Sequence, residues 1–245
     1  MNRNDISDAI TDINPAYVEQ AADYKPTTNK FRHTRVIIAI VAAVILTITV
    51  FAAGGLLSAS DVANQWGMTP LAEFFENGGG EAFNIESQTS GGYTVSVLGI
   101  ATGYDLVEYD ESVDPDKTYI VCSIEREDGE GIASYHDVWV TILISGYEPV
   151  KVNNLALASG DYWLLVEDGI EYVLLETTNI NIFADHTVYI AAYDGYYMPF
   201  KYSLNDDGTI SVVEGCDGVA ALFEIPLDET LADPEAAEAL IEKIY

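Results

Sequence analysis

The spacing of hydrophobic positions changes along this chain, and each change marks a different part of the molecule. Residues 36–57 form an uninterrupted apolar stretch without any charged residue. At about 1.5 Å per helical residue this stretch spans roughly 33 Å, enough to cross the hydrocarbon core of a bilayer. The pattern predicts one transmembrane helix over residues 36–57.

Beyond residue 80 the apolar positions alternate with polar ones, which is typical of half-buried β-strands. Strands are predicted at residues 93–100, 119–125, 138–144, 162–166, 170–175, 187–192, 200–204 and 209–213. Hairpin turns are predicted at residues 167–169 and 205–208, where aspartate precedes glycine. Because no helices alternate with the strands, residues 81–245 are expected to form a mainly β domain, an antiparallel immunoglobulin-like β-sandwich.

Short helical patterns lie on either side of this strand region. Asp233 and Pro234 predict the start of a C-terminal helix with an apolar stripe. The stripe consists of Ala237, Leu240, Ile241 and Ile244. Residues 58–80 are predicted to be a membrane-proximal linker that contains one short helix.

The first 35 residues carry a helical pattern of their own. Ile6, Ile10 and Ile13 fall on one face of a first short helix, and Val18 lies in a second one. Helices this short do not hold their own fold in water, so the apolar face is expected to bind a cytoplasmic protein or the inner membrane surface. The candidate partner-binding residues are therefore Ile6, Ile10, Ile13 and Val18. A disordered arm with incidental periodicity is the alternative.

The positions of the basic residues predict the orientation in the membrane. Lys25, Lys30, Arg32 and Arg35 precede the apolar stretch, and no basic residue follows until Lys117. By the positive-inside rule, residues 1–35 are cytoplasmic and residues 58–245 are extracytoplasmic. A cleaved secretory signal ending near residues 58–60 is the alternative, but the basic region and the apolar stretch are both long for one.

The formal net charge of −30 arises entirely after the apolar stretch, where 35 acidic residues accompany five basic ones. Such a surface repels nucleic acid, which excludes nucleic-acid partners for this part of the chain. It attracts cations and basic partners. A solvated acidic coat that prevents aggregation is the simpler explanation.

Motifs for catalysis are missing from the sequence. It contains no G-x-S-x-G, S-x-x-K, H-E-x-x-H or glycine-rich phosphate loop, so no enzymatic activity is predicted. His136 and His186 each lie beside an aspartate, but histidines at strand starts are usually turn residues. The acidic loops lack the calcium-loop spacing, so no cofactor is predicted and calcium is kept as an alternative. Cys122 and Cys216 form either a disulfide or two free thiols, with free thiols favoured.

Several stretches carry a resemblance to a known family. They are DISDAITDINPAYVEQAADY, GYTVSVLGIATGYDL, DKTYIVCSIEREDG, DGIEYVLLETTNINIFADHTVYIAAYDG and IPLDETLADPEAAEALIEKI. Together they resemble a family of single-pass membrane-anchored surface proteins of Gram-positive Firmicutes, similar in layout to anti-sigma factors. The resemblance implies a small cytoplasmic arm and an extracytoplasmic sensor domain. The arm contains no cysteine, which excludes the zinc-type anti-sigma factors.

The expected function is that of a membrane-anchored extracytoplasmic sensor or interaction protein that signals through the arm. A purely extracellular binding or wall-associated module, in which the arm only sets topology, is the first alternative. A surface hydrolase is the second.

Overall fold

Antiparallel β-strands form the framework of the part of the chain that the computed structural model describes, which comprises residues 56–79, 87–133, 138–157, 161–195 and 201–245. Ten strands occur in these ranges. They are β1 (Ser87–Ser90), β2 (Tyr93–Thr102), β3 (Lys117–Arg126), β4 (Val138–Ile144), β5 (Tyr162–Glu167), β6 (Ile170–Thr178), β7 (Val188–Asp194), β8 (Tyr202–Leu204), β9 (Ile210–Val212) and β10 (Ala220–Ile225).

The strands form two sheets and one hairpin. The larger sheet has the order β1-β2-β3-β6-β5, the smaller sheet has the order β10-β7-β4, and β8 pairs with β9. Every pairing is antiparallel. The helices are few and short: α1 (Ala59–Gln65), α2 (Thr69–Glu76), α3 (Gly103–Leu106), α4 (Asn154–Leu157) and α5 (Pro234–Ile241). The predicted mainly β, antiparallel class is therefore confirmed.

The predicted hairpin turns occur where aspartate precedes glycine. Asp168 and Gly169 have φ values of 52° and 80° and join β5 to β6 as a two-residue turn. Positive φ at both positions gives the turn the twist of the adjoining strands. The second turn, around Gly208, joins β8 to β9.

One hydrophobic core takes side chains from both sheets. Val95, Cys122 and Val173 contribute from the larger sheet, and Ile142 and Ile190 contribute from the smaller one. The C-terminal helix α5 packs on this same core through the predicted stripe, and Asp233 caps it by accepting a hydrogen bond from the backbone N–H of Ala236 at 3.0 Å. The predicted C-terminal helix is thus confirmed.

A second core lies on the opposite face of the larger sheet, where α1 and α2 pack. Val62, Ala63, Leu71 and Ala72 are buried there against Tyr172 and other sheet residues. The segment 58–80, predicted as a linker with one short helix, therefore contains two helices that are packed on the sheet.

A bulge in β2 places a glycine directly beneath this helix pair. The register between β2 and β3 shifts between Val97 and Gly99, so Leu98 is the extra residue. Gly99 then faces the helices, where an added Cβ would lie 2.6 Å from the ring of Phe75. A side chain at this position would push α2 away from the sheet.

A third cluster covers the outer face of the smaller sheet. Leu143, Tyr189 and Ala191 pack there against Tyr202 and Ile210 of the β8–β9 hairpin. The Tyr202 hydroxyl lies 2.6 Å from the carbonyl oxygen of Ala192 and 2.8 Å from that of Ala221. The hairpin is therefore attached to the sheet by both apolar and polar contacts.

Within the described ranges, no helix is long and apolar enough to cross a membrane. The predicted transmembrane helix at residues 36–57 lies outside those ranges except for Leu56 and Leu57. For these two residues the prediction is wrong, because they are not helical and they pack against the second core.

Candidate functional site

The predicted partner-binding residues Ile6, Ile10, Ile13 and Val18 lie outside the described residues, as does His136. The described residues instead show how the chain enters the folded domain immediately after the apolar stretch. We call this entry point the junction, and it consists of Leu56, Leu57, Ser58 and Tyr172.

Tyr172 is the centre of the junction. It lies on β6 with its side chain almost fully buried in the second core. Its hydroxyl accepts a hydrogen bond from the backbone N–H of Leu57 at 3.0 Å. Burial raises the pKa of Tyr172, so the hydroxyl remains neutral at physiological pH. Leu56 and Leu57 pack against the same core.

Ser58 begins α1 directly after these two leucines. Its hydroxyl donates to the Asp61 carboxylate at 2.6 Å, and its backbone N–H donates to the same oxygen at 2.9 Å. The backbone N–H of Asp61 donates in return to the Ser58 hydroxyl at 3.2 Å, and this bond together with the one from the Ser58 N–H forms a capping box. The bonds from Ser58 lower the pKa of Asp61, with the bond from the Ser58 side chain as the largest cause. Val62 and Ala63 of α1 are then fully buried.

At the junction, Leu56 and Leu57 are thus packed on the domain, and the exposed Ser58 caps the helix that follows. A hydrogen bond, two apolar contacts and a helix cap act on three consecutive residues. The chain is therefore attached to the larger sheet through Tyr172 and to α1 through the helix cap.

His186 lies just before β7, and its Nε2 is 3.9 Å from a carboxylate oxygen of Asp185. Its Nδ1 lies 3.0 Å from the carbonyl oxygen of Ser145, and its ring lies 5.4 Å from that of Tyr147. The Ser145 hydroxyl accepts a hydrogen bond from the backbone N–H of Thr187 at 2.9 Å, so it is directed to the backbone. These contacts position a strand end and do not pair a base with a nucleophile.

The acidic loops use their carboxylates to stabilise turns. In four of these loops, five aspartates each accept a hydrogen bond through a carboxylate oxygen from the backbone N–H two residues later, at 2.8 to 3.0 Å. The aspartates are Asp110, Asp114, Asp128, Asp207 and Asp228. In the described parts of the chain, no group of three or more His, Cys, Asp or Glu side chains is placed to hold a metal ion.

Four of the five basic residues of this part of the chain are already engaged. Lys117 pairs with Glu176 at 3.0 Å, and Lys201 pairs with Asp194 at 2.7 Å. Arg126 pairs with Asp128, and Lys151 lies over the Tyr245 ring at 4.9 Å. The acidic surface consequently retains a large uncompensated negative charge.

Sequence reasoning did not find the junction. Leu57 and Tyr172 are separated by 115 positions, and tyrosine in an apolar strand carries no local sign of a polar contact. One local signal was available: Ser58 and Asp61 have the three-residue spacing that is typical of a capping box at the start of a helix.

Cys122 and Cys216 are both free thiols, and Cys122 is fully buried.

No protein-family model, curated protein or solved structure matches this chain.

Proposed function

We propose that this protein is a membrane-anchored extracytoplasmic sensor or interaction protein. Residues 36–55 cross the membrane once, because Leu56 and Leu57 pack on the domain. Residues 56–245 lie outside the cytoplasm, and residues 1–35 form the cytoplasmic arm. In this proposal Ile6, Ile10, Ile13 and Val18 bind a cytoplasmic protein, as the anti-sigma-like layout implies. The junction is the observation that supports it.

A protein that is only tethered to the membrane and one that signals across it need different connections between the span and the domain. A module that only has to be held near the wall is served by a flexible linker rich in Gly, Ser or Pro. Here Leu56 and Leu57 are already packed on the domain. Residues 36–55 still reach about 30 Å as a helix, which is enough to span a bilayer. A span attached this directly moves with the domain, so a change at the domain reaches the arm.

Because the arm is held at the membrane, weak binding of a cytoplasmic partner is sufficient for signalling in this proposal. Two short helices bind with little net free energy, because ordering them opposes the burial of three isoleucines. Confinement at the membrane raises the effective concentration of a recruited partner.

The domain itself is proposed to be an immunoglobulin-like β-sandwich with a C-terminal helix. Support comes from the core that takes side chains from both sheets and from the packing of α5 on it. Side chains also connect the two sheets: the Gln88 side chain bonds to the backbone of Leu222, and the Tyr162 hydroxyl accepts a hydrogen bond from the backbone N–H of Val140.

Photo-crosslinking from position 10 in intact cells tests the proposal. We expect capture of one cytoplasmic protein, and we expect Ile6→Ser and Ile13→Ser to reduce it. Asp12→Ser, on the opposite face of the same predicted helix, is the matched control and should leave capture unchanged.

A flexible insertion tests the coupling. A six-residue segment of glycine and serine inserted between Gly55 and Leu56 should change the amount of cytoplasmic protein crosslinked from position 10, because it separates the span from the junction. The same six residues inserted between the exposed Asp206 and Asp207 should not. Equal capture from both insertions, or crosslinks to lipid alone, would contradict signalling and favour a purely extracellular binding or wall-associated module. The uncompensated acidic surface is the observation that favours that second function.

A further inference from the structure

The edge strands of the two sheets differ in how far neighbouring parts of the domain cover them. β1 and β10 close on each other, because the Gln88 side chain donates to the carbonyl oxygen of Leu222 at 2.7 Å and accepts from its N–H at 3.0 Å. Ser90 adds a third bond by accepting from the backbone N–H of Ala220 at 3.0 Å. β4 is almost entirely buried. In β5, by contrast, every residue is partly exposed.

The backbone of β5 has one row of polar groups directed away from the sheet. Glu167 and Ile170 close the two-residue turn, so they form a hydrogen-bonded pair, and such pairs alternate along the hairpin. The N–H and C=O groups of Tyr162, Leu164 and Val166 therefore point outward. Within the described ranges, Leu164 and Val166 make no hydrogen bond on this side. Among the residues that the structure describes, Ile132 covers the turn end by donating to the carbonyl oxygen of Gly169 at 2.7 Å.

β5 also lacks the usual protection of an edge strand. Natural edges carry lysine, proline or a bulge, which prevent pairing with another chain. The sequence YWLLVE has no lysine and no proline, and its register with β6 is uninterrupted. Its side chains pack on both cores. The strand is thus rigid, apolar and able to accept a further strand.

Charge decides which further strand fits. Asp161 precedes β5, and Glu167 and Asp168 end it. If two copies paired β5 along its whole length, antiparallel about Leu164, each Asp161 would lie opposite a Glu167. Like charges directly opposite each other destabilise a strand pair. A strand with basic residues near both ends has the complementary pattern.

We propose that β5 is a docking edge for an extended basic peptide segment, which adds to the larger sheet as a sixth strand. Its backbone pairs with Tyr162, Leu164 and Val166, and lysine or arginine near its ends faces Asp161 and Glu167. Backbone bonds supply the affinity in such strand addition, and the terminal charges supply the selectivity. This proposal does not depend on whether the arm signals.

Hydrogen exchange of the full chain in detergent micelles, resolved to single amides, gives the first test. In the free chain we expect the amides of Leu164 and Val166 to exchange rapidly and those of Trp163 and Leu165, which face β6, to be protected. Protection of Leu164 and Val166 in the free chain would overturn the proposal, because the edge would then be covered.

Three synthetic peptides give the second test. A peptide that alternates lysine and valine, present at about ten times its Kd, should slow exchange of Leu164 and Val166 about tenfold by mass action. The same peptide N-methylated at alternate residues keeps the charge but cannot form the ladder, and it should not protect these amides. A glutamate–valine peptide should not protect them either. Equal protection by either control would overturn the proposal.

Charge variants and the molecular mass complete the test. Asp161→Lys should weaken binding of the lysine–valine peptide, whereas Glu224→Lys on β10 should leave it unchanged. No difference between the two variants would contradict charge selection at β5. A doubled mass without peptide, accompanied by protection of Leu164 and Val166, would assign the edge to a second copy of the chain and overturn the proposal.

Discussion

At the scale of single residues, the two cysteines differ in what their surroundings permit. Cys122 lies in the core shared by the two sheets, and burial raises the pKa of its thiol from 9.0 to about 12. Cys216 is partly exposed. Since the thiolate is the reactive form, the two side chains should react at very different rates.

Thiol labelling measures this difference. With Ellman's reagent near pH 8, we expect one thiol per chain to react in the native protein and two in urea. The raised pKa alone makes the Cys122 thiolate about a thousandfold rarer than an ordinary one. Cys216→Ser should remove the native reaction. If neither cysteine reacts in the native chain, and the intact mass is two hydrogens below that of the reduced chain, the two cysteines form a disulfide instead.

Asp206 and Asp207 offer a matched pair in one turn. Thr209 donates from its hydroxyl and its backbone N–H to Asp207, and the hydroxyl bond is the main cause of the lowered pKa of Asp207. Because the folded pKa is below the ordinary value, the stabilisation is present above that value and is lost as the pH falls through the folded pKa.

We therefore expect Asp207→Ala to lower the thermal midpoint at pH 6 more than Asp206→Ala does. The difference between the two variants should shrink below about pH 4, where the wild-type carboxyl becomes protonated. A difference that is the same at pH 6 and at pH 3 would rule out the carboxylate as its cause.

At the scale of elements, the helix pair depends on a glycine in the strand beneath it. A Cβ at Gly99 would lie 2.6 Å from a ring carbon of Phe75 and 3.1 Å from the Cβ of Ala59. Phe75 is itself held by Phe74, whose ring centroid lies 5.5 Å away. Helix and sheet therefore approach closely because the bulge at Leu98 directs a glycine towards them.

Gly99→Ala should consequently destabilise the domain by about 1–3 kcal/mol through overpacking. Urea unfolding measures the change in the free energy of unfolding. In the Phe75→Leu background the cost of Gly99→Ala should be smaller, because the obstructing ring is gone. The same cost in both backgrounds would mean that the ring is not the obstacle.

At the scale of the whole molecule, negative charge is in large excess. After the apolar stretch the chain has five basic and 35 acidic residues. Most of the five basic residues already form ion pairs with nearby carboxylates. Self-repulsion of this kind keeps a protein soluble but destabilises its compact state.

Raising the sodium chloride concentration from 0.02 to about 0.5 M should therefore raise the thermal midpoint at pH 7, since salt screens the repulsion. Calcium chloride at matched ionic strength is the control for a specific ion. A far larger rise with calcium would support the calcium alternative, and a midpoint that falls with sodium chloride would contradict the repulsion.

Most strands could be predicted from the sequence because each depends on neighbouring residues. Alternation predicted β2 to β7 within a few residues of their observed ends, and β4 at its observed bounds. β1 was not predicted because SQTS is polar and has no hydrophobic alternation, and β10 was not predicted because AALFEI alternates weakly. The candidate site in the arm was proposed from periodicity alone and stays a prediction.

The sequence alone determined the local features: the strand periodicity, the Asp-Gly turns, the cap of α5 and the sign of the surface charge. Each depends on residues within about four positions or on composition. Only the tertiary structure decided that Leu57 bonds to Tyr172, that Gly99 lies beneath Phe75 and that β5 is the exposed edge. These contacts join residues 24 to 115 positions apart, and many alternative pairings share the same local pattern, so packing selects among them.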